Sequence, residues 1–155
     1  MDKDTTCFFT GHREIPKNRY DDIFNQTTAL IQLVYREGIK DFVCGGAIGF
    51  DTLAAKAVLE LRELLDIRLH LVLPCADQSV YFSPTQKADY EYIIENCDSC
   101  EILFDHYVRG CMHARNRKMV EMSTACIAFC QKTSGGAAFT VKQAISNNLP
   151  IYFVK

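Results

Sequence analysis

A chain of 155 residues, 48% hydrophobic and 23% charged, has the size and composition of one globular domain, residues 1–155, with its own core. No apolar run approaches the roughly 18 residues of a membrane span, and the opening Met1-Asp2-Lys3-Asp4 is acidic with no secretory apolar segment. A cytoplasmic domain with no membrane partner is therefore expected. A net charge of -2 offers no general attraction to polyanions, so nucleic acid is not expected as a partner.

Thr5 to Thr10 is a compact β-rich run that stops at the turn Gly11-His12-Arg13. From Asn18 to Glu37 the residues Tyr20, Ile23, Thr27, Leu30, Ile31 and Val34 recur at helical spacing, and Gly38 stands where a helix ends. Phe42-Val43-Cys44 is a short strand that breaks into Gly45-Gly46-Ala47-Ile48-Gly49-Phe50-Asp51. The helical pattern restarts there with Leu53, Ala54, Ala57, Val58, Leu61, Leu64 and Leu65 on one face. Arg68 to Leu73, closed by Pro74, predicts a third strand. Ser83 and Pro84 are a helix cap and first-turn proline for a helix through Tyr90, Ile93, Ile94 and Cys97. Glu101–Phe104 is a short strand, and Met112–Met122 a helix with Arg115, Met119 and Met122 on one stripe. Thr124–Cys130 is apolar on both faces, as a central parallel strand is. Ser134-Gly135-Gly136 opens a last helix with Ala137, Ala138, Val141, Ala144 and Ile145 as its buried face, and Ile151–Val154 is the final strand.

Six strands alternating with five helices predict an α/β fold: one doubly wound, mainly parallel, Rossmann-like sheet with helices on both faces. Ligands bind such sheets beyond the carboxyl ends of the strands, where the strand order reverses. Gly11-His12-Arg13, Gly45-Gly46 and Ser134-Gly135-Gly136 are expected to converge there. A glycine turn opening a helix suits a phosphate, because its N–H groups approach an anion closely. The spacing here is neither the dinucleotide fingerprint nor a Walker loop. Arg13 is read as a phosphate clamp or a surface ion-pair partner, and His12 as an anion donor that titrates near neutrality. Asp51 either caps its helix or binds a ribose hydroxyl. Arg115 should point to the sheet edge and meet a ligand anion, since a buried arginine without a partner is costly. Tyr81 and Phe82 stack on a base or close the core, and Asp77 and Asp89 are expected to be solvated.

Of the eight cysteines, Cys7, Cys44, Cys126 and Cys130 lie in apolar runs and are read as core. Cys97 and Cys100, with Cys111 and His113, have the residue types of a four-ligand zinc site. Reduced surface thiols are the commoner reading.

Gly11-His12-Arg13, the stretch Gly45 to Asp51, Pro74 followed by Gln78, Gln86 and Tyr90, Arg115-Asn116, and Gly135-Gly136 occur in an order that resembles the YpsA-like branch of the SLOG superfamily, small Rossmann-like domains of bacteria. The resemblance implies a pocket for a nucleotide or nucleotide-derived ligand, with Ala47 and Asn116 among its residues and no cofactor assigned. The chain is expected to be a binding or sensor domain for that small molecule, its exposed stripes allowing a homodimer. The superfamily also holds the LOG phosphoribohydrolases, which cleave the N-glycosidic bond of nucleoside 5′-monophosphates. Met112 to Lys118 is similar to the LOG segment carrying its catalytic arginine, which falls on Arg115. The LOG glutamate position is occupied by Lys142, which removes the carboxylate needed near an oxocarbenium-like transition state. Phosphoribohydrolase activity is thus the alternative expectation. The third relative, the single-stranded DNA binder DprA, is disfavoured by net charge.

Overall fold

A computed structural model describes residues Met1–Lys155. The strands are β1 (Thr6–Gly11), β2 (Asp41–Cys44), β3 (Arg68–Cys75), β4 (Ser99–Phe104), β5 (Ala125–Phe129) and β6 (Ile151–Phe153). Between them run α1 (Tyr20–Arg36), α2 (Phe50–Leu61), α3 (Pro84–Asn96), α4 (Cys111–Met122) and α5 (Gly136–Ser146). Local sequence accounts for much of this. In α1 the buried Ile23, Thr27, Ile31 and Val34 recur every three or four residues, and the chain leaves the helix as Gly38 donates to the Tyr35 carbonyl at 3.0 Å. A full capping box starts α3: Gln86 N–H donates to Ser83 Oγ, Ser83 N–H donates to Gln86 Oε1, and Pro84 occupies the first turn.

All strands are parallel, in the order β4-β3-β2-β1-β5-β6, an α/β Rossmann-like sheet. The order reverses between β1 and β5, whose register pairs Thr10 with Ala128 and Gly11 with Phe129. Successive residues of β1 feed opposite layers, because side chains alternate across a strand. Phe9 joins α1, α2 and α3 through Ile31, Leu53 and Tyr90, whereas Phe8 joins α4 and α5 through Met119 and Val141. Gly11, at the end of β1, is required by close approach: a Cβ there would lie 2.5 Å from the ring of Phe50.

The amino-terminal edge of the sheet is closed by a polar cluster. Asp41 accepts from Arg68 Nε at 2.8 Å and Thr5 Oγ1 at 3.1 Å, and pairs with His70 Nε2 at 2.8 Å; His70 Nδ1 meets Ser99 Oγ at 2.6 Å. Burial would raise the Asp41 carboxyl, but the hydrogen bonds from Arg68, His70 and Thr5 outweigh it and hold the pKa down at about 2.

Some expected details shift. The chain enters α1 through a 3-10 turn at Lys17–Arg19, and α2 ends at Leu61, which leaves Leu64 83% exposed instead of on the buried face. Cys7, Cys44 and Cys126 are fully buried. Cys130 is only half-buried and donates to the Lys132 carbonyl at 3.3 Å. No helix is long and apolar enough to cross a membrane.

Candidate functional site

The strand order puts β2, β1 and β5 side by side, so the turns that leave them share one edge. Two adjoining cavities open there. The smaller, about 200 Å³, is bordered by Thr10, Gly11, His12 and Arg13 after β1, by Ala47 and Asp51 after β2, by Met112, Arg115 and Asn116 of α4, and by Gly136 and Ala137 of α5. The larger, about 590 Å³, shares Arg13, Ala47 and Met112 and extends beyond β3 and β4, where Asp77, Gln78, Tyr81, Phe82, Gln86 and Tyr107 border it.

Arg115 dominates the smaller cavity. It is 5% exposed; Nη1 donates to the Gly45 carbonyl, Nε donates to Asn116 Oδ1 at 2.7 Å, and Nη2 reaches only the Met112 thioether at 3.8 Å. None of the ion pairs of the fold includes it. Burial lowers the guanidinium pKa from its ordinary value, opposed by the charge of Asp51. Burial in turn raises the Asp51 carboxyl, opposed by Arg115, by the Ala47 N–H and by Arg13. The two attract across a gap wider than an ion pair. With Arg13 also bordering the cavity, two cations face one carboxylate whose ionised form burial disfavours, and the imbalance favours an anion.

The β2–α2 turn is stitched internally. Ala47 N–H donates to Asp51 Oδ2 at 3.1 Å, Thr52 Oγ1 donates to the Ala47 carbonyl at 3.0 Å, and Phe50 N–H at the start of α2 donates to the His12 carbonyl at 3.0 Å. Asp51 thus neither caps α2, whose N-cap is Gly49, nor stands free; its carboxyl group fills the turn as an internal acceptor. Gly46 faces away from the cavity, packed against Leu73, Gln78 and Tyr90, and Gly49 lies against the backbone of His12 and Arg13. The amino terminus of α5 is open: Gly136 and Ala137 border the cavity, their N–H groups have no acceptor, and nothing lies within 4 Å of a Cβ built at Gly136. Ser134 and Gly135 lie in the preceding loop and border neither cavity.

Arg13 is exposed, has no ion-pair partner and borders both cavities. His12 Nε2 accepts from the Gln131 N–H at 2.8 Å, which fixes the neutral ring with its proton on Nδ1, and burial with the nearby Lys132 lowers its pKa. The two aromatics after β3 separate: Phe82 packs edge-on against Tyr90, centroids 5.4 Å apart, while Tyr81 is 96% exposed. Asp89 pairs with Lys56 at 2.9 Å instead of standing solvated. Lys142 is exposed, donates to the Thr133 carbonyl at 3.3 Å and borders neither cavity. The zinc-type residues do not meet: Cys97 donates to the Ile94 carbonyl, His113 packs on Phe139, and no three His, Cys, Asp or Glu side chains group to hold a metal ion. Sequence reasoning missed Tyr107 and Met112 as cavity residues. Tyr107 was within reach of the carboxyl-edge rule, which applies to β4 as it does to the glycine-bearing strands.

Among solved structures, DNA processing protein A from Streptococcus pneumoniae is similar over 97% of this chain and 50% of its own, at 18% identity and a TM-score of 0.70. DNA processing protein A from Helicobacter pylori, which binds single-stranded DNA, matches 97% of this chain and 65% of its own, at 18% identity and a TM-score of 0.65. The chain therefore spans about half to two thirds of the length of these proteins, and the likeness is one of fold. It overturns the expectation that excluded nucleic acid: a protein containing this fold binds single-stranded DNA, and a whole-chain charge of -2 does not register a local pair such as Arg13 and Arg115. No curated protein matches the sequence. The model of the YspA SLOG family matches residues 11–153, nearly the whole chain from the last residue of β1 onward, and the chain belongs to that family.

Proposed function

We propose that the protein binds a nucleotide-derived small molecule through its phosphate, in the smaller cavity beyond β1, β2 and β5. The observation that carries this reading is Arg115: a guanidinium 5% exposed, turned to the cavity and without a carboxylate partner. Burying a cation unpaired is expensive, and a phosphate would supply both the charge and acceptor oxygens for the planar guanidinium. The free N–H groups of Gly136 and Ala137 add backbone donors, and Arg13 adds a second, exposed cation. Asn116 holds the guanidinium in place through Nε.

A second reading, a backbone phosphate of single-stranded DNA in the same cavity, is favoured by the fold shared with the Helicobacter pylori protein. Hydrolysis of an N-glycosidic bond has less support. The one carboxylate of the smaller cavity, Asp51, is committed to the Ala47 N–H, and Lys142 lies outside.

Calorimetric titration with ribose 5-phosphate and nucleoside monophosphates, with free base followed by NMR, tests the reading. Binding that is lost in Arg115→Ala without base release supports a binding domain. Absence of any Arg115-dependent binding up to millimolar concentration refutes it, and base release would move the protein to the hydrolases.

A further inference from the structure

The larger cavity has the opposite character from its neighbour. Apolar side chains dominate its wall, and two tyrosines reach it from different connections: Tyr81 between β3 and α3, 96% exposed, and Tyr107 between β4 and α4, 60% exposed. Val80 beside them is 55% exposed. Exposed aromatics clustered on a concave surface mark a place that is covered by something, since a soluble domain gains nothing from leaving them in water. Nothing within the fold covers Tyr81: unlike Phe82, it has no aromatic partner.

What covers them is indicated by continuity. The cavity joins the Arg115 site through Arg13, Ala47 and Met112, so a molecule whose phosphate sits at Arg115 projects its remaining part toward one end of this space. At about 590 Å³ the cavity has the volume of a small-molecule site, more than a phosphate needs. Its rim offers both hydrogen-bond senses. Gln86 spends its Oε1 on the Ser83 N–H, which leaves its amide N–H donors free, and Asp77 contributes carboxylate acceptors. Gln78, by contrast, is spent on holding the floor, donating to the Gly45 carbonyl and accepting from Tyr90 Oη, each at 3.3 Å. A flat π-face for stacking, with donors and acceptors at the edge, matches an unpaired nucleobase.

We infer that the larger cavity is the base subsite of the same ligand: a nucleobase stacks on Tyr81 and Tyr107, with its edge toward Gln86 and Asp77, while its phosphate is held by Arg115 and Arg13. This assignment rests on the phosphate reading above. The base belongs either to a free nucleotide or to a single strand, because the recognising chemistry is shared.

The chain has no tryptophan, so Tyr81→Trp creates a single fluorescent reporter at the subsite. AMP, GMP, CMP and UMP, a short oligo-dT and the base-free probe ribose 5-phosphate are titrated against this variant, and calorimetry is run on the wild type, Tyr81→Ala and Tyr107→Ala. Stacking predicts that at least one base-bearing probe quenches the tryptophan whereas ribose 5-phosphate binds without quenching. It also predicts that Tyr81→Ala weakens the base-bearing probe by about 5- to 30-fold and leaves ribose 5-phosphate unchanged. Tyr81 is too exposed for its truncation to unfold the domain. A free nucleotide is the source if the mononucleotides show this pattern, and a single strand is the source if only oligo-dT does. If ribose 5-phosphate binds through Arg115 but base-bearing probes are indifferent to both tyrosine variants, the base subsite is refuted and the phosphate site stands. If no probe binds, both fall.

Discussion

Arg115 and Gly45 are fitted to each other. The guanidinium donates to the Gly45 carbonyl, and a Cβ built on Gly45 would lie 2.8 Å from Arg115 Cζ and 3.0 Å from Cδ. Gly45 is thus a seat for the arginine: the turn presents its carbonyl to the guanidinium and leaves no room for a side chain. Gly45→Ala should keep the fold, at a loss of about 1–3 kcal/mol from overpacking, but displace the guanidinium. Binding of ribose 5-phosphate should then fall by at least about tenfold, approaching the effect of Arg115→Ala, which is expected to be on the order of 2 kcal/mol or more. Wild-type affinity in Gly45→Ala, measured by calorimetry, would separate the seat from the function.

Arg13 differs from Arg115 in being exposed and without an ion pair. Its removal should therefore leave stability within about 0.5 kcal/mol, since no fold contact depends on its charge. Phosphate binding should nevertheless weaken, and more so at low ionic strength, because an exposed cation acts through a screened field. Thermal melts and titrations at two salt concentrations check both halves. A lowered melting temperature with unchanged binding would make Arg13 a structural residue and not a ligand contact.

Gly46 has φ +73°, and its missing side chain points at Leu73, Gln78 and Tyr90, away from the smaller cavity. Gly46→Asp would place a carboxylate in that core, not beside a phosphate. The left-handed backbone alone costs about 1–2 kcal/mol, and burying an unpaired charge adds more. Loss of cooperative unfolding is the expected result, visible in a urea titration. A folded variant with a normal midpoint would show that the turn is looser than its packing indicates.

The elements were legible because their signals are local. The apolar run of β5, the three-and-four spacing of α1 and the Ser83-Pro84 cap each name their structure without a tertiary partner. The edge on which the site lies followed from alternation of strands and helices. What stayed hidden was pairing. Nothing in the string from Gly45 to Asp51 says that Asp51 will take the Ala47 N–H, or that Gly46 will face backward while Gly45 faces Arg115. The two glycine orientations are set by distant elements: Gly46 packs on Leu73, Gln78 and Tyr90, and Gly45 on Arg115 of α4, as the 70-residue separation of the Arg115–Gly45 hydrogen bond shows. Tyr107 stayed hidden because no glycine turn follows β4 directly to mark the connection. The exclusion of nucleic acid failed because a sum over all charges hides where the charges stand.

At the opposite end of the sheet, Asp41 should govern acid stability. Its folded pKa, about 2, lies below the unfolded value of 3.8, so the stabilisation is complete above 3.8 and is lost as pH falls through about 2. With half-exposed Arg68 as a main partner, the contribution is on the order of 1–2 kcal/mol. Asp41→Asn should lose that much at pH 7, and the gap from wild type should close as the pH approaches 2. A gap that does not change with pH would assign the effect to packing.

His12 should give a separate pH dependence near neutrality. The ring accepts the Gln131 N–H on Nε2 and packs edge-on against Phe129, centroids 5.3 Å apart, an arrangement that only the neutral form permits. Burial and Lys132 lower its folded pKa below the unfolded 6.5, so between those two values the unfolded chain binds more protons than the folded one. Its contribution is complete above 6.5 and declines as pH falls through the folded value. Protonation would also release the loop that leads from β5 to the open amino terminus of α5, since Gln131 anchors that loop to β1. A bound phosphate resists this loss if it holds Gly136 and Ala137 in place. Melting temperature followed from pH 8 to 5 should therefore fall less steeply with ribose 5-phosphate than without it, and His12→Gln, which keeps an acceptor but cannot titrate, should flatten the ligand-free curve. Equal slopes in wild type and His12→Gln would mean that another group carries the titration.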